Sequence, residues 1–157
     1  MNAATLHEAA AELINDYAEL IDSDQLEEWL ALFTEDCAYR IVPRENYDQD
    51  LPIPIMLCTN KNMLRDRIVA LRKANKFNLH YDRHMVSNLR VQPAADGGAQ
   101  LEANYAVYQT NLEGRSHLFS VGRYRDRVRW EEGRLVIAVK LVIVDTFAVP
   151  SMLATPL

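Results

Sequence analysis

The 157-residue sequence contains only two cysteines and five glycines. Two cysteines are too few for a disulfide framework or a cage of thiolate ligands, so a protein with reduced thiols is the simplest interpretation. No glycine-rich phosphate loop and no serine nucleophile elbow occurs in the chain. The sequence therefore offers no recognisable nucleotide site and no serine-hydrolase site.

An excess of basic residues and a long apolar run are also missing. The formal net charge is −5, which argues against sequence-independent binding of nucleic acid and against adsorption to anionic membranes. The longest apolar run, Leu135 to Val144, is interrupted by Lys140 and is far shorter than a membrane span. No basic region followed by an apolar core opens the chain, so no secretory signal is predicted. We therefore expect a cytoplasmic protein without a nucleic-acid or membrane partner.

The length and composition fit a single globular domain over residues 1–157. Hydrophobic residues make up 49% and charged residues 25% of the chain, which are ordinary values. Helical signals crowd the first half, mainly within residues 5–34 and 61–74. A capping box formed by Thr5 and Glu8 opens the first predicted helix. Its apolar stripe consists of Leu6, Ala10, Leu13, Ile14, Tyr17 and Ile21.

A shorter second helix is predicted after Asp24, which repeats the cap signature with Glu27. Its apolar residues are Leu26, Trp29, Leu30 and Phe33. A third helix is predicted from Lys61 to Ala74, and its inward residues are Met63, Leu64, Ile68 and Leu71. The segments between these helices are predicted as a strand over Cys37–Val42, a proline-containing loop over 43–54 and an edge strand over Ile53–Cys58.

From Tyr81 the hydrophobic pattern changes to a period of two, which indicates long strands within residues 81–149. The predicted strands are Tyr81–Gln92, Gln100–Thr110, Ser116–Trp130 and Arg134–Val149. Short glycine-containing turns make neighbouring strands antiparallel. Strands this long must coil or bulge, and Gly122 is the predicted bulge site. Helices followed by a long antiparallel sheet predict an α+β domain whose sheet curls into a cone around the helices.

Three residues that could carry chemistry, His80, Asp82 and His84, alternate along the first long strand. Two histidines and a carboxylate can form a facial triad for non-haem iron. In a strand, however, the two histidines would be separated by about 13 Å, which is too far for two ligands of one iron. A polar strand face, either exposed to solvent or at an interface between chains, is therefore preferred over a metal site.

The remaining histidines and the cysteines give no clear site. His117 is interpreted as a core or cleft residue, and His7 as a solvated residue of the first helix. Cys37 and Cys58 have no nearby histidines in sequence, whereas a Rieske cluster needs two cysteines and two histidines from two loops. We therefore expect no catalytic, cofactor-binding or metal-binding residue in this chain.

Four arginines form a ladder on one face of the third long strand, opposite aromatic and apolar residues. They are Arg123, Arg125, Arg127 and Arg129. Such a ladder needs anionic neighbours, which Glu102 or a partner subunit could supply. A solvated face and an interface between subunits both remain open, because arginine is favoured at interfaces.

After Asp145 no ionisable side chain remains, although the tail is rich in apolar residues. They include Phe147, Val149, Met152, Leu153 and Leu157. We expect the apolar tail, residues 150–157, to dock against its own sheet or onto another chain. Its deletion is expected to weaken assembly more than folding.

The order and spacing of several motifs resemble the β (small) subunits of aromatic-ring-hydroxylating oxygenases, over residues 8–150. The motifs are NDYAELID from Asn15, EWLALFTEDCAY from Glu28, NMLRDRI from Asn62, RHMVSNLRV from Arg83, GRYRD from Gly122 and VIVDT from Val142. The stretch PREN from Pro43 and the one from Asn62 to Arg67 look most similar to subunits of salicylate, anthranilate, halobenzoate or terephthalate oxygenases.

The resemblance implies the cone-shaped fold shared by nuclear transport factor 2 and ketosteroid isomerase. It further implies a complex with a large α subunit, usually α3β3, in which β is mainly a structural base. The Rieske [2Fe–2S] cluster and the mononuclear Fe(II) are expected in α, and electrons would come from NAD(P)H through a reductase, sometimes with a ferredoxin. An aromatic carboxylate is the expected substrate, and no catalytic residue is expected in β.

Two alternatives remain open at this point. The first is a free-standing cone enzyme, such as a dehydratase or isomerase, that uses Asp82, His84 or His117 as acid and base. It requires a carboxylate–histidine pair facing an apolar pocket. The second is a ligand-binding or homo-oligomeric module of the same fold without chemistry.

Overall fold

The structure is a computed structural model and describes residues 3–51, 53–74, 79–146, 153 and 155–157. The helices in these residues are α1 Ala3–Asp22, α2 Leu26–Leu30, α3 Arg44–Asp48 and α4 Lys61–Lys73. The strands are β1 Phe33–Pro43, β2 Met56–Cys58, β3 His80–Pro93, β4 Ala99–Asn111, β5 Ser116–Glu131 and β6 Arg134–Val144. None of these helices combines the length and the hydropathy that a membrane-spanning helix requires.

The strands form one sheet in the order β2-β1-β6-β5-β4-β3. The predicted meander is confirmed, because β3, β4, β5 and β6 pair with their sequence neighbours in antiparallel fashion. The sheet is nevertheless mixed, since β1 lies parallel to β6, with Arg40 opposite Leu141. Sequence patterning did not predict this pairing, because the two strands belong to opposite halves of the chain.

Bulges bend the long strands as predicted, but they lie elsewhere than expected. The pairing register shifts at residues 88–89 of β3, at Phe119 of β5 and at Ala138 of β6. Asn88 has a φ of 57°, a left-handed conformation that asparagine tolerates better than most residues. The predicted bulge at Gly122 is wrong, because Gly122 pairs in regular register with both neighbouring strands.

Gly122 serves close packing instead. A Cβ atom at this position would lie 2.0 Å from the Ile143 main-chain oxygen and 2.9 Å from a ring carbon of Tyr105. The Tyr105 ring stacks on Tyr124 with centroids 4.5 Å apart. Only glycine leaves room for this ring between two strands. A glycine inside a strand marks either a bulge or a close approach of neighbouring atoms, and here it marks the close approach.

The apolar stripe predicted for the first helix is confirmed, since all six of its residues are buried. The capping box is wrong, because Thr5 lies inside a helix that begins at Ala3. Asp24 does not cap the second helix either: its φ is 56°, and Gln25 precedes α2 without a side-chain cap. Phe33 begins β1 rather than ending a helix.

Smaller differences affect the segments around α4. Residues 43–54 were predicted as a loop, but they contain the short helix α3. Met63, predicted to face inward, is 38% exposed. The edge strand is shorter than predicted, and β6 ends at Val144 rather than at Val149, which lies outside the described residues together with its neighbours from 147. The cap of α4 is Asn60, whose side chain accepts a hydrogen bond from the Met63 amide.

The helices and the inner face of the sheet share one hydrophobic core cluster. Aromatic rings dominate its centre, where Tyr17 packs edge-on against Phe33 and Tyr124, and Trp29 packs against Phe33 at 4.7 Å. Tilted and edge-to-face pairs of this kind stabilise a core beyond the area they bury. The helices thus fill the concave side of the curled sheet.

We predict that Gly122→Ala lowers the free energy of unfolding by about 2–3 kcal/mol, because the new methyl group must displace main-chain atoms of β6. It should also change the near-ultraviolet circular dichroism, since the Tyr105–Tyr124 stack must shift. Urea denaturation and the dichroism spectrum measure the two effects. The matched control is Gly133→Ala, which has open space but a φ of 81°, and should lose only about 1–2 kcal/mol with an unchanged spectrum. Identical spectra for both variants would contradict this account of Gly122.

Candidate functional site

An ion pair lies at the centre of the cone, on two neighbouring strands. Lys140 of β6 lies opposite Asp126 of β5, and its Nζ donates to Asp126 Oδ2 at 2.9 Å. Both side chains are fully buried. The Lys140 ammonium also lies 3.4 Å from the ring centroid of Tyr124 and 4.1 Å from that of Tyr17. These two rings act as cation–π partners and replace part of the hydration that burial removes.

Burial favours the uncharged form of both Asp126 and Lys140. It raises the pKa of Asp126, and the adjacent Lys140 opposes that rise. It lowers the pKa of Lys140, and the adjacent Asp126 opposes that fall. The pair is therefore held together by mutual compensation: each charge is tolerated in the interior because the other is present.

Two tyrosine hydroxyls beside this ion pair converge on one oxygen. The hydroxyls of Tyr17 and Tyr39 both donate to the main-chain oxygen of Leu157, at 2.5 and 3.0 Å. The Leu157 amide in turn donates to the Tyr39 hydroxyl at 3.1 Å. Burial raises the pKa of both tyrosines, so they stay protonated and act as donors. We call Tyr17, Tyr39, Tyr124, Asp126 and Lys140 the interior cluster.

The apolar tail therefore docks on its own chain, at least in its described residues. Leu157 is 1% exposed, Leu153 packs against the core, and the Thr155 hydroxyl donates to Asp82 Oδ2 at 2.7 Å. Of the two docking modes left open by the sequence, the described tail residues adopt the intrachain one. Phe147, Val149 and Met152, which were part of the same prediction, lie outside the described residues.

His80, Asp82 and His84 share one face of β3, as predicted, but that face points into the cone. Asp82 and His84 are buried, and Gln109 and Asp82 are close to the His80 ring, at 3.2 and 3.5 Å from its Nε2. The interpretation of this face as part of an interface between chains is therefore wrong for Asp82 and His84. The reason is that β3, although an edge strand, curls against α1.

Asp22, at the last position of α1, is the partner that sequence reasoning missed. Its carboxylate is 2.6 Å from His84 Nδ1 and also accepts a hydrogen bond from the His84 amide at 2.8 Å. This double contact fastens the end of α1 to the outward-facing amide of an edge strand. No sequence signal connects Asp22 with His84, because 62 residues separate them.

The Asp22–His84 pair has the composition of an acid–base dyad but not the setting of one. His84 Nε2 is buried without a hydrogen-bond partner. A cavity of about 20 Å³ between α2, α4 and the tail holds about one water molecule, and neither Asp22 nor His84 lines it. A general acid or base must reach the proton that it transfers. In this geometry the pair holds α1 against β3.

The other sequence candidates are separated from one another. His117 is exposed at the start of β5, so its interpretation as a core or cleft residue is wrong; the bulge at Phe119 brings the phenylalanine, not the histidine, into the core. His7 is exposed on α1, as expected. Cys37 and Cys58 are buried free thiols, and burial raises the pKa of Cys37 to about 11 and also raises that of Cys58. Among the described residues, no group of histidine, cysteine and carboxylate side chains is arranged to hold a metal ion.

The arginine ladder lies on the outer face, and anionic groups of the same chain accompany most of it. Arg125 pairs with Glu102 at 3.4 Å, which confirms the predicted neighbour. Arg127 pairs with Asp96 at 2.6 Å. Arg129 contacts Asp36 and Glu131, and Arg123 has no ion-pair partner among the described residues. The ladder is thus largely neutralised within the chain, as a solvated face would be.

An apolar surface lies on the outer side of the sheet next to the ladder. Tyr81 and Met85 of β3 flank Arg83, whose partner on β4 is Tyr108, and Tyr108 lies opposite Leu118 of β5. We call the surface formed by Tyr81, Met85, Tyr108 and Leu118 the β3–β5 apolar face; these side chains are 44–63% exposed. A second exposed group, Leu51, Ile53, Ile55 and Leu57, surrounds β2. Contiguous exposed apolar surface of this kind marks sites of protein association.

The sequence and the fold of the chain are similar to those of several known proteins. A family model described as "Ring hydroxylating beta subunit" matches residues 16–151. The small subunit of anthranilate 1,2-dioxygenase from Burkholderia cepacia is 46% identical, over 92% of this chain and 90% of that protein. A β subunit of the terminal oxygenase component of terephthalate 1,2-dioxygenase from Comamonas is 31% identical, over 90% and 92%.

Solved structures confirm the predicted fold. A β subunit assigned to an aromatic-ring-hydroxylating dioxygenase of Novosphingobium aromaticivorans superposes with a TM-score of 0.90 at 35% identity, over 99% of both chains. A protein assigned as a scytalone dehydratase from the same organism superposes with a TM-score of 0.69 at 17% identity, over 89% of this chain and 84% of that one. The second likeness shows the cone-shaped fold alone.

We predict that Lys140→Met lowers the free energy of unfolding by about 3–5 kcal/mol at pH 7, because Asp126 is left as an uncompensated buried charge. The pKa of Asp126 is already raised by burial, and loss of Lys140 should raise it further. A raised carboxyl pKa stabilises the fold where the group is protonated, and this contribution is lost as the pH rises through the folded-state value. The deficit relative to the parent chain should therefore grow from pH 4 upward, as measured by urea denaturation at several pH values.

The matched control is the double variant Lys140→Met/Asp126→Asn, which removes both charges. Because it has no carboxylate at position 126, its stability should lack the extra decline from pH 4 upward that the single variant shows. A deficit in the single variant that does not change with pH would show that lost packing, rather than the stranded carboxylate, is responsible.

Proposed function

Because the chain belongs to the ring hydroxylating β-subunit family, we propose that it is the structural, non-catalytic small subunit of an aromatic-ring-hydroxylating oxygenase complex. The observation that supports this role best is the contrast between its two surfaces. Inside the cone, the space next to the interior cluster is filled by the chain's own Leu157. Outside, the β3–β5 apolar face is left uncovered. We further propose that residues 1–157 form one domain, because helices and sheet share one core.

The chemistry of the cysteines favours placing the redox centres on another chain. A Rieske cluster is held by thiolates and imidazoles. Cys37 and Cys58 are buried, their pKa values are raised, and a neutral thiol is a poor metal ligand. We therefore propose that this chain contributes no catalytic, cofactor-binding or metal-binding residue. The Rieske [2Fe–2S] cluster and the mononuclear Fe(II) would then belong to a large α subunit supplied with electrons from NAD(P)H by a reductase, with or without a ferredoxin.

The proposed substrate class of the complex is an aromatic carboxylate. It is motivated by the relatives named after anthranilate and terephthalate, both of which carry a carboxylate on an aromatic ring. In this scheme the ring binds to the α subunit, and the small subunit affects turnover through assembly rather than through contact with substrate.

The two exposed apolar surfaces match the two kinds of neighbour that an α3β3 complex gives each small subunit. The β3–β5 apolar face lies on three paired strands of the sheet. Obligate interfaces are large and hydrophobic, so we assign this face to the α subunit. The group around Leu51 and Leu57 is assigned to a second copy of this chain.

We predict that Met85→Glu and Leu118→Glu, alone or together, disrupt assembly without unfolding the chain, because each places a charge on a surface that must lose water on binding. Co-expression with a tagged α subunit should give a brown complex of equal subunit ratio for the parent chain. For each variant the recovered small subunit should fall about tenfold or more. Unchanged far-ultraviolet dichroism of the variants completes the measurement.

Val69→Glu is the matched control, since Val69 is 44% exposed but lies on α4 and not on the strands that form the β3–β5 apolar face. It should assemble like the parent chain. Normal recovery of the complex with Leu118→Glu would remove the assignment of the β3–β5 apolar face, whereas iron bound stoichiometrically to the lone small subunit would remove the proposed function itself.

A free-standing dehydratase or isomerase is the alternative that the Asp22–His84 pair brings back into consideration. We predict that His84→Gln lowers the free energy of unfolding by about 1–3 kcal/mol, because the contact with Asp22 is weakened. The turnover number per assembled complex should stay the same, since His84 only holds α1 in place. Steady-state assays normalised to iron content measure this.

His117→Gln is the control, because His117 is exposed at the start of β5. It should change neither the free energy of unfolding nor the turnover number per assembled complex. The free-standing alternative predicts instead that the lone small subunit turns over a small aromatic compound or ketone, and that the His84 variant alone loses about 10²–10⁴ of that turnover, as expected for a general acid or base. That outcome would favour the alternative.

A further inference from the structure

We propose that an arginine-lined groove on the outer face of the sheet receives carboxylate side chains of the large α subunit. The inference rests on the proposed function and specifies where the charged part of that interface lies. The groove has a volume of about 490 Å³ and crosses β3, β4 and β5. We call it the arginine groove; the polar residues that line it are Asn88, Arg90, Glu102, Asn104, Arg123 and Arg125.

Arg123 lies in the groove without a counter-ion. The cross-strand neighbours of a charged side chain are the positions where a sheet usually supplies the opposite charge. Those of Arg123 are Asn104 on β4 and Ile143 on β6, and neither carries a charge. No carboxylate of the described residues forms an ion pair with the Arg123 guanidinium. The side chain is nevertheless half-buried, so it has lost part of its hydration without gaining a charged partner.

One carboxylate serves the other two arginines of the groove. Glu102 lies between Arg90 on β3 and Arg125 on β5, each of which is its cross-strand neighbour. It forms its ion pair with Arg125, at 3.4 Å. Arg125 is further held by Tyr47, whose ring centroid lies 5.5 Å from the guanidinium carbon. Three arginines and one glutamate leave an excess of positive charge in the groove, although the whole chain carries a net charge of −5.

The arginine groove directly continues the β3–β5 apolar face. On the outer side of the sheet, Met85 lies in one cross-strand row with Ala106 and Val121. The next row, about 7 Å further along the strands, contains Asn104 and Arg123. Protein interfaces combine an apolar core with a polar rim, and arginine is enriched in them. The α subunit, to which the apolar face is assigned, is therefore the occupant that reaches the groove.

The bulge in β3 favours a partner that lies on the face of the sheet over one that adds a strand to its edge. β3 is the edge strand, and its pairing register shifts at residues 88–89. A bulge of this kind hinders further strand pairing at an edge. A segment on the face meets the side chains of Arg90 and Arg123, and a guanidinium binds a carboxylate through two parallel hydrogen bonds. The groove therefore fits glutamate or aspartate side chains of that segment.

The test is subunit exchange in the purified complex. Complexes of the α subunit with the parent chain or with Arg123→Gln are mixed with an excess of fluorescently labelled parent small subunit, and the release rate of the unlabelled subunit is measured. Arg123→Gln should be released about tenfold faster, because a carboxylate of the α subunit loses its partner. The difference should narrow as NaCl rises from about 0.05 to about 0.5 M, since salt screens the attraction. Arg123→Lys, which keeps the charge but not the planar fork, should be released at an intermediate rate.

Arg129→Gln is the matched control, because Arg129 lies on the same strand and face but already pairs with Asp36 and Glu131 of its own chain, at 2.9 and 2.7 Å. It is about 20 Å along the strand from Arg123, which is about two Debye lengths at physiological salt. It should be released at the rate of the parent chain. Arg90→Gln, at an exposed position of β3, is the second variant if Arg123→Gln folds poorly, and it should be released about threefold faster than the parent chain.

Equal release rates of the Arg123 and Arg129 variants would overturn the arginine groove as a docking site and would leave the proposed function standing. Absence of any complex between the α subunit and the parent chain would instead remove the proposed function. Two further results would assign the groove to another occupant and so contradict the proposal. The first is that inorganic phosphate raises the melting temperature of the lone parent chain but not that of Arg123→Gln, at equal release rates. The second is self-association of the lone parent chain that Arg123→Gln abolishes, again at equal release rates.

Discussion

The buried ion pair of Lys140 and Asp126 constrains everything around it. It joins β5 to β6 at the centre of the sheet, and the rings of Tyr17 and Tyr124 must stay on the ammonium to make its burial tolerable. Those rings in turn fix the position of α1 against the sheet. A hydrophobic replacement of both charges would often be as stable, so the pair specifies an arrangement more than it adds stability. The specified arrangement directs two phenol hydroxyls at a single point, and the tail occupies that point.

A cone-shaped domain can bind other molecules in its interior or on its exterior, and these two regions differ in this molecule. Its interior, which the fold leaves concave, is occupied by its own side chains and main chain. Its exterior carries uncovered apolar residues beside a ladder of arginines that are mostly paired within the chain. A domain that works through its outer surface needs a stable interior, and the clamp between Asp22 and His84 serves the same end by holding α1 to an edge strand. Membership of the ring hydroxylating β-subunit family is consistent with that arrangement.

Local patterns in the sequence predicted what depends on local chemistry. The stripe of α1, the antiparallel meander and the outward arginines all follow from periodicities of 3.6 or two residues, and the structure has them. Patterns could not show what depends on long-range geometry. The inward direction of His84 follows from the curl of β3 around α1, and the choice of Asp22 as its partner follows from where α1 happens to end. Gly122 was misread because a glycine in a strand has two explanations, and only the neighbouring Tyr105 decides between them.

The parallel pairing of β1 with β6 has a consequence for biosynthesis. The partners in this pairing, such as Ile41 and Val142, are separated by about 100 residues, and contacts so remote in sequence slow folding. While the ribosome is still producing the intervening strands, β1 has only the short β2 as a hydrogen-bonded neighbour. The other edge of β1 and the apolar stripes of the helices therefore lack their β6 partner in the nascent chain until β6 has been synthesised. The strand order thus delays completion of the sheet until nearly the whole chain has been synthesised.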